Sequence, residues 1–141
     1  MKKIVLFGDS LLAGVMNGET SDILDKHIIN ELTGMDFPGY GLVKLGKRGE
    51  SSSEGLARID DAVEAEGDFV VISFGTNDSL KQKNTLEDFG ENIREIIESF
   101  DASKVILLTT GYINTEILPS GDNERQQLYA EKAKQIADEV G

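Results

Sequence analysis

Residues 6–14 read LFGDSLLAG, and the apolar run that begins at Ile4 stops abruptly after Phe7, on Gly8, Asp9 and Ser10. A short run halted by glycine, acid and hydroxyl has two readings. It is either a strand turning into a helix with Ser10 as N-cap, or a nucleophile held at the tip of a sheet. The rest of the chain bears on the choice. FVVISF (69–74) and KVILLTT (104–110) have the same character as KIVLF (3–7). All three are rich in β-branched residues without clear polar alternation, the pattern of strands covered on both faces in a parallel sheet. YGLVKLG (40–46) is a weaker fourth.

Helical patterns separate these runs. Leu56, Ile59 and Val63 fall at i, i+3 and i+7, and Leu86, Phe89, Ile93, Ile97 and Phe100 hold a stripe for over three turns. Thr85 with Asp88 resembles a capping box at the start of that helix. An earlier helix is expected over about 21–32 and a last one over about 122–140. The order β-α-β-α-β-α-β-α predicts an α/β domain with helices on both faces of a parallel sheet, joined by right-handed crossovers. At 141 residues the chain has room for one domain.

Composition removes several functions. The 14 basic and 26 acidic side chains give a formal net charge of -12, and no segment gathers the cations into a stripe that would neutralise phosphates, so no nucleic-acid partner is expected. There is no cysteine, hence no disulfide framework and no thiolate chemistry. MKKIVLF is too short for a secretory signal, whose apolar region runs to about 7–15 residues. No stretch approaches the ~18 apolar residues of a membrane span. The expectation is a soluble, cytoplasmic protein.

The unusual polar residues gather where the strands end. Gly8-Asp9-Ser10 follows the first strand, Gly46-Lys47-Arg48-Gly49-Glu50-Ser51 the second and Gly75-Thr76-Asn77-Asp78 the third. In an open parallel sheet these loops share one rim, and ligands bind where the strand order reverses. If strands 2, 1 and 3 are neighbours, Ser10 lies between Gly49 and Asn77. A serine attacking an acyl carbon makes an oxyanion, and one lost donor to that oxyanion costs roughly 3–4 kcal/mol of transition-state stabilisation. The N–H groups of Ser10 and Gly49 and the side-chain amide of Asn77 would supply three donors.

Taken together, Gly8-Asp9-Ser10-Leu11, Gly49 within GESSSEGLARI and Gly75-Thr76-Asn77-Asp78 resemble the first three blocks of the GDSL/SGNH hydrolases. The resemblance implies a flavodoxin-like three-layer α/β/α fold with strand order 2-1-3-4. It also implies esterase, lipase or acylhydrolase activity with Ser10 as nucleophile and Gly49 and Asn77 completing the oxyanion hole. Members of that family carry a fourth block, Asp-x-x-His, whose histidine is the general base and whose aspartate orients it. This sequence holds a single histidine, His27, in the first expected helix. A serine without a base is a poor nucleophile at neutral pH, so the chain as written is expected to have little activity. KVILLTT, guarded only by Lys104, is also unusually apolar for an edge strand. A fifth strand beyond residue 141, and a C-terminally incomplete domain over 1–141, are therefore expected; pairing of edge strands in a homo-oligomer is the alternative cover.

The remaining features are read more plainly. Asp9 is a supporting residue that bonds nearby backbone. Asn77 also suits a turn and Gly49 a positive φ, and Asp78 suits a helix cap. His27 sits beside an apolar face, spaced from Ile23 and Leu24, as a structural or solvent-facing residue. Gly41 to Lys47 matches G-x-x-x-x-G-K, but Arg48 stands where a phosphate loop needs Ser or Thr, and the intervening residues read as strand. No metal-ligand spacing and no organic cofactor are expected. Tyr112 and Ile113, in GYINTEILPSG (111–121), are candidate walls of the pocket for a small acyl ester. Two non-hydrolytic alternatives stand: an ester- or carbohydrate-binding module that keeps the crevice, and a flavodoxin-like nucleotide or flavin binder.

Overall fold

Strand β1 (Lys2–Gly8) is the centre of the sheet because its side chains are apolar on both faces: Val5 and Phe7 point one way, Ile4 and Leu6 the other, and all four are buried. The computed structural model describes residues 2–9, 15–16, 19–20, 23–34, 40–47, 49–75, 77–78, 84–101, 104–108 and 123–140. After β1 come a two-stranded antiparallel ladder, β2 (Val15–Met16) with β3 (Glu19–Thr20), and helix α1 (Ile23–Gly34). Then follow β4 (Tyr40–Gly46), α2 (Ser52–Ala57), α3 (Ile59–Glu64), β5 (Phe69–Ser73), α4 (Leu86–Glu98), β6 (Val105–Leu107) and α5 (Asn123–Val140).

The sheet is parallel throughout, in the order β4-β1-β5-β6. Counting the four long runs in sequence, this is the expected 2-1-3-4 order. The weaker fourth run, 40–46, proves to be the outer strand β4, where the exposed Lys44 needs no cover. Residues 41–46 are strand, so the G-x-x-x-x-G-K string forms no phosphate loop.

One face carries the main core. Val5, Phe7, Val70, Ile72 and Phe74 pack against Ala62 of α3, Phe89, Ile93, Ile96 and Ile97 of α4, and Tyr129, Ala133 and Ile136 of α5. Burial at three- and four-residue spacing makes α4 and α5 amphipathic. The rings of Phe89 and Tyr129 lie 5.2 Å apart. Along the outer seam Arg94 bonds Glu139, and hydrogen bonds from Gln135 and Arg94 hold the Glu139 carboxyl below its ordinary pKa. The other face, Ile4 and Leu6 with Leu42, Phe69 and Val71, receives Ile28 of α1.

The pattern over 52–64 departs from expectation. The helix breaks at Arg58 (φ -115°, ψ 24°), which advances the phase of the stripe, so Ala62 is buried and Val63 is 42% exposed. Thr85 caps α4 as expected, its Oγ1 accepting from the Asp88 N–H at 3.1 Å. A second N-terminal device, unread in the sequence, lies at Ser51: its N–H donates to Oε1 of Glu54 at 3.2 Å, and the two residues form a capping box. The S-x-x-E string ahead of Leu56 is the signal that would have found it.

Candidate active site

Three strands end on one rung. Gly8 lies in register with Gly46 of β4 on one side and Ser73 of β5 on the other. Just beyond it the Asp9 N–H donates to Ser73 O at 3.2 Å, and the Lys47 N–H to Gly8 O at 2.9 Å. The three loops singled out in the sequence therefore leave the sheet together. Ser10 itself lies outside the described residues, as do Tyr112 and Ile113.

The segment after β4 has a defined shape. Gly49 adopts φ 74°, a left-handed conformation that costs any other L-residue roughly 1–2 kcal/mol. The chain then runs through Glu50 and Ser51 into α2. Asn77 reaches this segment from beyond β5: its Nδ2 donates to Glu50 O at 3.0 Å, and the side chain is buried. Gly49 and Asn77, expected on two separate segments, are thus brought to one place beyond the end of β1. Asp9 is also buried there, 2% exposed.

Asp78, next in the chain, faces the protein. Its Oδ1 accepts from the Ser52 N–H at 2.8 Å, and its Oδ2 accepts from Ser52 Oγ at 2.5 Å and Asn84 Nδ2 at 2.7 Å. Asn92 of α4 donates to Ser52 Oγ at 3.1 Å, and the Tyr129 hydroxyl of α5 donates to Asn84 O at 2.6 Å. Asp78 does cap a helix, but one that starts 26 residues earlier in the chain. Its carboxyl satisfies the first N–H of α2, a group a helix cannot satisfy itself. Ser52, Asn84 and Asn92 were not singled out in the sequence, and no local pattern marks a bond between residues so far apart.

Chemically, the rim offers a glycine in a left-handed conformation and a buried amide side chain close to one another beyond the ends of the strands; backbone N–H and side-chain amide groups are the donor types that can serve an oxyanion. Among the described residues no group of three or more His, Cys, Asp or Glu side chains is placed to hold a metal ion. Among them, too, no helix is long and apolar enough to cross a membrane.

Comparisons with known proteins show the family and the fold. The family model described as GDSL-like Lipase/Acylhydrolase family matches residues 6–141. A search of curated proteins returned no significant match. Among solved structures, a lipase/acylhydrolase from Enterococcus faecalis is 30% identical with a TM-score of 0.91; the match covers 99% of this chain and 72% of that one. Axe2-W215I, an acetyl xylan esterase from Geobacillus stearothermophilus, is 22% identical with a TM-score of 0.79, over 99% of this chain and 73% of its own. A structure named TesA is 20% identical with a TM-score of 0.77, over 98% and 74%.

Proposed function

Because the chain belongs to the GDSL-like lipase/acylhydrolase family, we propose that it is a serine esterase that hydrolyses small acyl esters through an acyl-enzyme on Ser10. The hydroxyl of Ser10 attacks the acyl carbon. The N–H groups of Ser10 and Gly49 and the amide of Asn77 receive the oxyanion, the alcohol departs, and water releases the acid. An amide nitrogen carries two N–H groups, so Asn77 holds Glu50 O with one and offers the other to substrate. The observation that carries the reading is this 3.0 Å bond, which joins the third loop to the second beside Gly49 at the end of β1.

Small acyl groups fit the company the fold keeps, since one similar structure is an acetyl xylan esterase. Tyr112 and Ile113 are proposed as walls for the acyl or leaving group. No metal or organic cofactor enters this chemistry, and the cysteine-free composition suits a cytoplasmic enzyme. His27, the one histidine, is exposed on α1 and is assigned no part in proton transfer. An activated ester whose leaving group needs no protonation is therefore the right first substrate.

Incubation with p-nitrophenyl acetate is expected to leave an acetyl group on Ser10, located by peptide mass spectrometry, with slow release of nitrophenolate. Ser10→Ala abolishes both, and His27→Ala leaves both unchanged. Release of nitrophenolate that persists undiminished in Ser10→Ala would refute the assignment.

A further inference from the structure

Arg58 sits at the break between α2 and α3 and reaches two of the three loops at once. Its Nε bonds Glu50 Oε2 at 2.7 Å, with the two side chains only 10% and 13% exposed. Its Nη2 donates to Gly8 O at 3.2 Å, and the guanidinium carbon lies 4.7 Å from the centre of the Phe7 ring. Glu50 follows Gly49 directly, and Gly8 precedes Ser10 by two residues. One rigid, planar group therefore ties the end of β1 at Gly8 to the segment at Glu50.

We propose that Arg58 is a positioning residue for ester hydrolysis, holding Gly8 and Asp9, which lead into Ser10, and the Gly49–Ser51 segment at a set separation; this rests on the Ser10 reading above. The residue type matters. A guanidinium presents several N–H donors in one plane and can serve a carboxylate and a carbonyl in different directions, whereas an ammonium is a point charge on a flexible stem. The face of Phe7 keeps that plane from tilting. A misplacement of about 1 Å between reacting groups can lower a rate by about a hundredfold, so the separation is worth holding.

The test compares the 141-residue chain with its Arg58→Met, Arg58→Lys and Glu50→Gln variants by two measurements. The first is amide hydrogen exchange by NMR, read at Asp9 and at residues 49–51 against the core amides of Val5 and Ile72. The second is kcat and KM for p-nitrophenyl acetate. Arg58→Met is expected to speed exchange at both loops at least about tenfold with the core unchanged, and to lower kcat about 10–100-fold with KM within about threefold. Arg58→Lys restores slow exchange at 49–51 through Glu50 but recovers kcat only in part, since Gly8 O loses the guanidinium and keeps only the Lys47 N–H. Glu50→Gln loosens 49–51 and leaves Asp9 protected.

Unchanged exchange at both loops in Arg58→Met, or equal acceleration at the core, overturns the proposal. So does kcat that tracks the loss of folded protein alone. Should Arg58→Met fail to fold, Arg58→Lys and Glu50→Gln carry the same contrast between the two loops. Absence of any Ser10-dependent turnover in the parent chain counts against the esterase reading, and exchange then decides by itself whether Arg58 couples the two loops.

Discussion

Residues 49–52 lie over the carboxyl end of the sheet and strand β6 closes one side of it, and the two margins are finished in opposite ways. In the first, Glu50 O takes Asn77, the Glu50 carboxylate takes Arg58, the Ser51 N–H donates to Glu54, and Ser52 bonds Asp78 through both its N–H and its hydroxyl. In the second, three residues pair with β5 alone among the described strands, and Ile106 and Leu108 stand 48% and 37% exposed. A polar group shut away from water costs about 1–3 kcal/mol if left unpaired, so burying this much polarity at the rim forces one arrangement. Apolar side chains on a margin impose no such geometry. Rigidity is therefore concentrated where three sequence-distant loops must meet.

The contrast can be broken most severely at Asp78. Asp78→Ala strands the N–H and the hydroxyl proton of Ser52 in a fully buried site and takes from the Asn84 amide the shorter of its two bonds, and a loss of about 3–5 kcal/mol is expected in urea unfolding. A loss below about 1 kcal/mol would mean that the network is not what anchors α2. Next comes Gly55, where a Cβ would lie 2.3 Å from Cζ of the buried Phe74 ring. Gly55→Ala is expected to cost about 1–3 kcal/mol by overpacking. The matched control is Gly90 in α4, whose added Cβ would meet only the flexible end of Lys132, Cε at 2.5 Å. There the helical preference of alanine wins, and Gly90→Ala gains about 0.5 kcal/mol, read as a higher Tm.

The smallest effect belongs to the other margin. Ile106→Lys replaces a half-exposed side chain and is expected to change stability by less than about 0.5 kcal/mol. A cost of 2 kcal/mol or more, about what full burial of such a side chain contributes, would show that Ile106 is covered in solution. That result would make the two margins alike.

How far the sequence discloses this contrast follows from the range of the interactions. Runs such as 3–7 and 69–74 are legible because burial on both faces leaves continuous apolar letters, and the strand order follows once alternation demands right-handed crossovers. The meeting of Asn77 with the segment at Gly49 is legible because chain leaving adjacent parallel strands at their carboxyl ends shares one rim. Arg58 is not, although a lone cation between Leu56 and Ile59 on an apolar stripe is a visible irregularity. Its partners, Glu50 and Gly8, are chosen by tertiary geometry, and so is the helix break that exposes Val63 in place of Ala62. The Asp78 network joins residues 26 positions apart in the chain and leaves no periodic trace.

The shared rung at Gly8 also has a bearing on time. Lys2 pairs with Tyr40 and Ile4 with Phe69, so the rim exists only after two long chain closures have occurred around β1. Contacts of such sequence separation form late and slowly compared with helix formation. During refolding, helical signal should return first, and the acylation proposed at Ser10 is expected to return only with the slowest phase, leaving half-folded forms unreactive.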